Sequence, residues 1–428
     1  MVEYRKKILK NGLTVIVHED RSTPLVAVNV LYKVGSKDEQ TYKTGITHLF
    51  EHLMFGGSKH IADFDSMIQK AGGENNAFTN SDITNFYDVL PKENLEIALW
   101  MESDRMSNLK LSQRVLNTQK KVVIEEFKET CLNEPYGDLY HHLGPMAYQN
   151  HPYQWPTIGK EIAHIESVQM EDVKLFFRRH YRPDNAVLVL AGNVCYEEGF
   201  AVAEKWFGRI KKRESSPSSD TIFSIENPVS REKIIRAAVP LNSIVLAFGM
   251  AERIDYRFYL ADILSDALAS GRSSRFYRKL VKEKQLFSHI DAFVSGTKEP
   301  GLFIIEGKVA KGSDLHIAEK AIWEELEEIK RQPLKEEELK KLKNRAESAL
   351  LYSEMGVLNK AMNLAFFEYL GDIDLINTEI NLYERITTDE LLAEANKILN
   401  KDNCCKLVYE TDGTVLVYDN EEDGDGED

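Results

Sequence analysis

Two histidines and a glutamate stand close together near the start of the chain, in the segment GITHLFEHLMFGG. His48 and His52 are four residues apart, so on a helix their rings project from one face. A catalytic zinc ion takes three protein ligands and keeps a fourth position for water, whose pKa it lowers to about 7. Glu51 lies beside His52, where it is placed to act on that water rather than on the metal. The pattern therefore predicts a zinc site with Glu51 as general base and later proton donor to a leaving amine. The alternative is a histidine pair that only packs at the edge of a helix.

A third ligand is available in a second helical stretch, SQRVLNTQKKVVIEEFKET, at positions 112–130. At about 100° per residue, one continuous stripe contains positions 115, 116, 119, 122, 123 and 126. Because Val115, Leu116, Val122 and Val123 are apolar, we expect this stripe to be buried, with Gln119 and Glu126 facing inward.

A buried carboxylate requires a partner, and zinc is a strong one, so Glu126 is the predicted third ligand. An inward salt bridge is the alternative for Glu126. Glu129, about 60° further round the helix, is a second candidate ligand.

Strand-like and helical segments surround these residues, and their order recurs in the second half of the chain. Alternating apolar residues predict strands at LTVIVHED and LVAVNVLYKVG, and helical periodicity follows at 45–54, 64–71 and 95–106. A similar series follows the Ser/Pro-rich stretch GRIKKRESSPSSDTIFS, which reads as a linker. The second half has Asp262, Ser265 and Asp266 near the place of the first motif and no histidine pair, so we expect a metal in the first half only.

The predicted fold is therefore α+β, with two tandem homologous α/β sandwich domains. Each domain is expected to be a mainly antiparallel sheet covered by helices. The predicted boundaries are a zinc-bearing domain at 1–212, a linker at 213–224, a non-catalytic domain at 225–418 and an acidic disordered tail at 419–428.

Composition excludes some classes of function. The formal charge of -15 and the lack of a basic stripe argue against nucleic-acid binding, because nucleic-acid binders need a basic surface. No apolar run approaches the roughly 18 residues of a membrane span, and we see no export signal at the start. Cys131, Cys195, Cys404 and Cys405 show no CxxC spacing and read as reduced thiols. These features together predict a cytoplasmic protein.

Four segments together carry a resemblance to a known family. The motif HLFEH, the downstream VVIEE, the intervening GGENNAFTNSDITNFY and the later RPDNAVLVLAGNV resemble the pitrilysin, insulin-degrading enzyme and mitochondrial processing peptidase family, and its small bacterial members most. The resemblance runs across nearly the whole chain. It implies that His48, His52 and Glu126 bind zinc and that Glu51 is the catalytic base. It also implies that the two domains form half of a clamshell chamber that encloses unfolded peptides or short polypeptides for hydrolysis.

The same resemblance implies where the substrate binds. The segment GGENNAFT matches the edge strand to which substrate peptides add as an extra β-strand, here Asn76, Ala77, Phe78 and Thr79. Many family members carry a glutamate two helical turns before the third ligand, which orients the site. This chain has Gln119 there, so the charge behind the ligands is lower.

The second half departs from the pattern of active single-chain members. Those members supply an Arg and, seven residues later, a Tyr that hold the substrate and the tetrahedral intermediate. Val281 and Ser288 stand at these positions, and Arg278 or Tyr277 could replace them only with a shifted register.

The resemblance therefore implies a zinc-bearing subunit that requires a homologous partner with the Arg/Tyr pair, with a homodimer as the alternative. A non-catalytic assembly subunit, as in respiratory-complex core proteins, is the competing function. That reading expects a damaged HxxEH motif, whereas the motif here is intact.

Overall fold

The computed structural model describes residues 1–212 and 230–414, so the predicted linker at 213–224 and the predicted tail at 419–428 lie outside the described residues. The first half contains strands β1 (Arg5–Ile8), β2 (Thr14–Glu19), β3 (Leu25–Tyr32), β4 (Glu74–Thr79), β5 (Thr84–Pro91) and β6 (Ala186–Gly192). Its helices are α1 (Ile46–Phe55), α2 (Phe64–Lys70), α3 (Leu95–Asn108), α4 (Gln113–Phe127), α5 (Leu139–Ala147), α6 (Ile162–Ser167), α7 (Met170–His180) and α8 (Tyr196–Phe207).

The second half repeats this mixture of elements. Its strands are β7 (Arg231–Ala237), β8 (Ser243–Gly249), β9 (Phe287–Val294), β10 (Leu302–Val309) and β11 (Cys404–Thr411). Its helices are α9 (Tyr256–Ala269), α10 (Leu315–Arg331), α11 (Glu336–Ser353), α12 (Val357–Leu370), α13 (Leu375–Glu384) and α14 (Thr388–Ile398).

The two sheets share one topology. The first has the order β1-β2-β6-β3-β5-β4 and the second has the order β7-β11-β8-β10-β9. Apart from β1, each strand of the first sheet has a counterpart at the same place in the second. In both sheets one pair is parallel, β2 with β6 and β7 with β11, while the other pairs are antiparallel. The predicted α+β fold of two tandem homologous domains, each with a mainly antiparallel sheet and covering helices, is confirmed.

Each sheet is covered on its second face by a helix from the other half of the chain. Helix α12 packs on β3 and β6 of the first sheet, where Leu364 and Phe367 share a buried cluster with Val189. In return, α5 packs on β8 and β11, where Leu143 shares a buried cluster with Leu407. Strands buried on both faces are apolar throughout, as β6 (AVLVLAG) is. The halves therefore interlock, and neither sheet completes its core alone.

This architecture brings together the elements that carry the predicted site. Helix α1 packs against α4 and also contacts β4, and β4 is the outermost strand of the first sheet.

In the part of the chain that the structure describes, no helix is both long enough and apolar enough to cross a bilayer.

Because α12 covers the first sheet, truncating a buried side chain of this helix should destabilise the protein. Leu364 is fully buried, so Leu364→Ala leaves a cavity and should lower the free energy of unfolding by about 2–5 kcal/mol. Urea unfolding measures this. Leu351→Ala is the matched control, because Leu351 is 60% exposed and its truncation should change stability by less than about 0.5 kcal/mol. Equal effects of the two substitutions would show that α12 does not hold the first sheet.

Candidate metal centre

Helix α1 presents the motif because its other face is anchored in the core. Gly45 precedes the helix with φ 86°, and a Cβ atom there would come within 2.7 Å of the Ile158 carbonyl oxygen, so the position requires glycine. Leu49, Phe50 and Leu53 are buried, and the Phe50 ring stacks on Tyr181 with centroids 4.7 Å apart. The HxxEH side chains are left on the opposite face, partly exposed.

Glu39 fixes the first turn of α1. Its carboxyl group accepts hydrogen bonds from the backbone N–H groups of Gly45 at 2.9 Å and Thr47 at 2.8 Å, which have no partner inside the helix. Burial raises the pKa of Glu39 to about 8, and these two bonds act in the opposite direction. The sequence does not predict this role of Glu39, because Glu39 lies six residues before Gly45 and outside any capping-box spacing.

Helix α4 carries the predicted third ligand at the edge of its buried face. The buried residues are Leu116, Val123 and Phe127. Val122 is 45% exposed, so the prediction that it belongs to the buried stripe was wrong. The core contact is rotated by about one residue, toward Phe127. As a result the Glu126 side chain is 37% exposed and lies at the rim beside α1, not deep among apolar neighbours.

Three of the predicted residues converge. His48 Nε2 and His52 Nε2 are 3.3 Å apart. Glu126 Oε1 is 3.6 Å from His48 Nε2, and Glu126 Oε2 is 3.4 Å from His52 Nε2. Within the described residues this is the only group of three or more His, Cys, Asp or Glu side chains close enough to share a metal ion.

The protonation of the cluster suits a cation. Burial lowers the pKa of His48 to about 4, so its imidazole is neutral at pH 7 and offers a lone pair. The hydrogen-bonding contact with His52 and the nearby imidazoles lower the pKa of Glu126, which keeps it ionised. His48 Nδ1 is buried and has no hydrogen-bond partner among the described residues.

The donor set fits zinc. Ligand atoms about 2.0–2.1 Å from a tetrahedral ion lie about 3.3 Å from one another, and the three donors here are separated by 3.3, 3.4 and 3.6 Å. Two neutral imidazoles and one carboxylate also form a recurrent catalytic ligand set for this metal. Without a metal ion, a proton on an imidazole nitrogen would have to bridge these atoms, as in the hydrogen-bonding contact between His52 and Glu126.

Glu51 is held beside the cluster by the edge strand. The Thr79 hydroxyl, in the last residue of β4, donates a 2.6 Å hydrogen bond to Glu51 Oε2. Burial raises the pKa of Glu51, and the bond from Thr79 opposes that shift. Thr79 had been predicted only as part of a substrate-binding strand, and its bond to Glu51 is not visible in the sequence.

The other predicted residues are not part of the metal cluster. In β4, Asn76 and Phe78 are exposed, whereas Ala77 is partly buried against the core. Gln119 is partly buried on α4 and, within the described residues, makes no side-chain hydrogen bond to the cluster. Glu129 is exposed in the π-helical segment Lys128–Asn133 and is not part of the cluster.

The two positions that depart from the family pattern have ordinary structural roles. Val281 packs against the core of the second domain. Ser288 is an exposed residue of β9 whose hydroxyl donates to the Lys308 carbonyl oxygen at 3.1 Å. Arg278 is exposed and Tyr277 is partly exposed in the π-helical segment Tyr277–Glu283.

Both halves of the chain match known family models. Residues 14–161 match "Insulinase (Peptidase family M16)" and residues 167–346 match "Peptidase M16 inactive domain". The chain is 30% identical over 340 residues to the zinc protease PqqE of Helicobacter pylori, covering 78% of this chain and 76% of that protein. It is 28% identical over 214 residues to the mitochondrial-processing peptidase subunit beta of Saccharomyces cerevisiae, covering 49% of this chain and 46% of that protein. A crystal structure of a protease from Helicobacter pylori aligns with a TM-score of 0.90 at 25% identity, covering 96% of this chain and 100% of that one.

The donor geometry makes a prediction about metal content. The purified chain should contain one zinc ion per molecule, and His52→Ala should lose most of it because two ligands hold a catalytic zinc poorly. Elemental analysis of the dialysed proteins measures this. His316→Ala is the control, since His316 is exposed and outside the cluster. Equal zinc in His52→Ala and the parent protein would refute the ligand assignment.

Proposed function

This chain belongs to peptidase family M16, and from that premise we propose that it is the zinc-bearing part of an endopeptidase that hydrolyses unfolded peptides. The observation that carries the proposal is the convergence of His48, His52 and Glu126 with Glu51 beside them. The relatives named as zinc proteases support the same chemistry.

His48, His52 and Glu126 are the residues that would hold the metal. Bound zinc supplies Lewis acidity, which polarises a peptide carbonyl group and makes water acidic enough to attack at neutral pH. The neutral His48 imidazole and the ionised Glu126 carboxylate are in the protonation states that metal binding requires.

Glu51 moves the protons. Its carboxylate accepts a proton from the attacking water and then delivers it to the nitrogen of the leaving amine. The bond from Thr79 fixes the position of Oε2, so the other oxygen, Oε1, is left for this transfer. Burial of Glu51 raises its pKa, which makes the carboxylate a better proton acceptor.

Strand β4 is the proposed binding edge for substrate. Among the described strands it pairs with β5 alone, so the outer edge of its backbone can accept an extended peptide once the Ala77 N–H leaves its 2.8 Å bond to Asn76 Oδ1. Main-chain pairing does not depend on side chains, which suits an enzyme that acts on many sequences but only on extended ones. Because Thr79 ends this strand and bonds Glu51, a peptide paired to β4 would be delivered directly to the proposed catalytic residues.

The proposed enzyme requires a second subunit. Val281 has no side-chain donor and the Ser288 hydroxyl already donates to the Lys308 carbonyl oxygen, so neither replaces the Arg/Tyr pair that stabilises a developing oxyanion. We therefore propose a homologous partner that carries the Arg/Tyr pair and closes the other half of a clamshell chamber. A homodimer is the less favoured assembly, because both copies would lack the pair.

We also propose a reducing, cytoplasmic setting for this subunit. The four cysteines are unpaired in the described structure, and Cys131, Cys404 and Cys405 are buried. Reduced thiols are typical of cytoplasmic proteins.

The partner proposal predicts that the isolated chain is nearly inert even when it contains zinc. Loss of oxyanion donors costs on the order of a hundredfold to a thousandfold in rate. Adding a homologous subunit with the Arg/Tyr pair should restore cleavage of an unfolded, fluorogenic peptide, and mutating that Arg should remove it again. Turnover of about 1 per second or faster by the chain alone would contradict the partner requirement. If no partner restores cleavage, the assembly-subunit function is favoured.

The proton-transfer role of Glu51 can be separated from metal binding. Glu51→Gln should keep its zinc and lower peptide hydrolysis by at least about a hundredfold, because the amide cannot accept the proton. Both quantities are measured on the complex with the partner. Glu125→Gln is the matched control, since Glu125 is exposed and pairs with Lys128 at 2.8 Å. Retained activity in Glu51→Gln would assign the base to another residue.

A further inference from the structure

A cavity of about 280 Å3 lies between the first half of the chain and the outer strands β9 and β10 of the second sheet. Aromatic and aliphatic side chains form much of its wall, among them Tyr140, Tyr148, Tyr153, Trp155, Phe293 and Leu302. This cavity is separate from the metal cluster, and none of the residues named above as catalytic or ligating lines it.

One wall of the cavity continues directly from the proposed substrate strand. Ser81 lines the cavity and is two residues beyond Thr79, the last residue of β4. Two residues of chain span at most about 7 Å. Since the Thr79 hydroxyl bonds Glu51, the cavity begins close to the proposed catalytic residue, at the end of the strand nearest to it.

Two other walls are attached to the helices that carry the site. Tyr140 precedes His141, whose ring packs 5.2 Å from the ring of Phe127, the last residue of α4. The segment that contains Trp155 continues to Gly159, which lies against the N-terminus of α1. The approach is close, because a Cβ atom added to Gly45 would be 3.2 Å from the Gly159 Cα. The cavity is thus bounded by extensions of β4, α4 and the start of α1.

Several polar groups in its wall are already engaged within the protein. The Tyr153 hydroxyl donates to Asp82 at 2.6 Å, and the Trp155 indole N–H donates to a backbone carbonyl oxygen at 3.0 Å. The Ser295 hydroxyl accepts from the Leu302 N–H at 2.7 Å. A polar guest would lose its hydration without gaining these groups as partners, whereas an apolar guest gains by leaving water.

We propose that this cavity binds a large apolar side chain, aromatic or long aliphatic, of the peptide that pairs with β4. Strands rise about 3.3 Å per residue, so this side chain belongs to a residue two or three positions from the cleaved bond, where the peptide passes the Thr79 end of the strand. The inference rests on the proposed function and adds a side-chain preference to a site that otherwise recognises the main chain.

Peptide binding tests the inference independently of catalysis. The zinc-containing Glu51→Gln protein is titrated into fluorescein-labelled, unstructured peptides that carry Phe, Leu, Ser or Asp at one central position. Kd is measured by fluorescence anisotropy. The Phe and Leu peptides should bind about tenfold to a hundredfold more tightly than the Ser peptide, the range expected for burying one such side chain. The Asp peptide should bind no better than the Ser peptide.

Variants then locate the preference. Tyr140→Ala removes part of the cavity wall, so it should weaken binding of the Phe peptide several-fold and leave the affinity for the Ser peptide unchanged. Tyr140→Phe should bind both peptides as the parent protein does. Thr157→Trp fills the cavity and should abolish the preference. Tyr352→Ala is the control, because Tyr352 is 71% exposed and does not line the cavity. Melting temperatures verify that each variant is folded.

The outcomes separate this inference from the proposed function. Equal affinities of the Phe and Ser peptides would overturn the proposed role of the cavity but not the proposed pairing with β4. A preference that survives both Tyr140→Ala and Thr157→Trp would also overturn it, because the side chain would then bind elsewhere. Failure of every peptide to bind would overturn both the cavity and the strand addition on which it rests.

Discussion

The architecture of the first domain converges on one contact, in which two helices bring two imidazole nitrogens and a carboxylate within 3.3 to 3.6 Å of each other. At these distances the three groups need a shared proton or a metal ion between them. Three contacts hold the two helices in this position: Glu39 fixes the first turn of α1, the Phe50 ring stacks in the core, and Phe127 anchors α4 next to Glu126. Thr79 links the same centre to the edge of the sheet. The proposed metal binding, proton transfer and substrate pairing would thus share a single framework.

The second domain shows what the same topology contains when its motif is changed. Asp262, Ser265 and Asp266 in α9 repeat the spacing of the HxxEH residues in α1. The guanidinium of Arg345, on α11, pairs with Asp266 at 3.4 Å, and the Tyr383 hydroxyl donates to Asp262 at 2.7 Å. Here the protein supplies its own cation and donor to the acidic pair. The expectation of a metal in the first half alone remains a prediction.

Local periodicity was sufficient to predict the helices of the site, because the i, i+4 spacing in α1 and the apolar stripe of α4 are properties of short segments. The predicted burial of Val122 was wrong, because a one-residue rotation of α4 moves this position from the edge of the apolar stripe to the exposed side of the helix. It did not reveal the caps and links that depend on distant chain, such as Glu39 to Gly45 or Thr79 to Glu51. The exchange of α5 and α12 between the halves was equally hidden, because an apolar helix does not specify which of two similar sheets it covers. The predicted boundaries at 1–212 and 225–418 remain predictions.

X-ray absorption at the zinc K-edge of the purified chain tests the central claim most directly, because it reports the atoms bound to the metal without reference to activity or partner. We predict that the zinc has few ligands, all nitrogen or oxygen, and shows the multiple-scattering pattern of two imidazoles. This pattern should be lost when His48 and His52 are replaced. A shell containing sulfur, or one of oxygen atoms with no imidazole signal, would contradict it, since the metal would then be bound somewhere other than between α1 and α4.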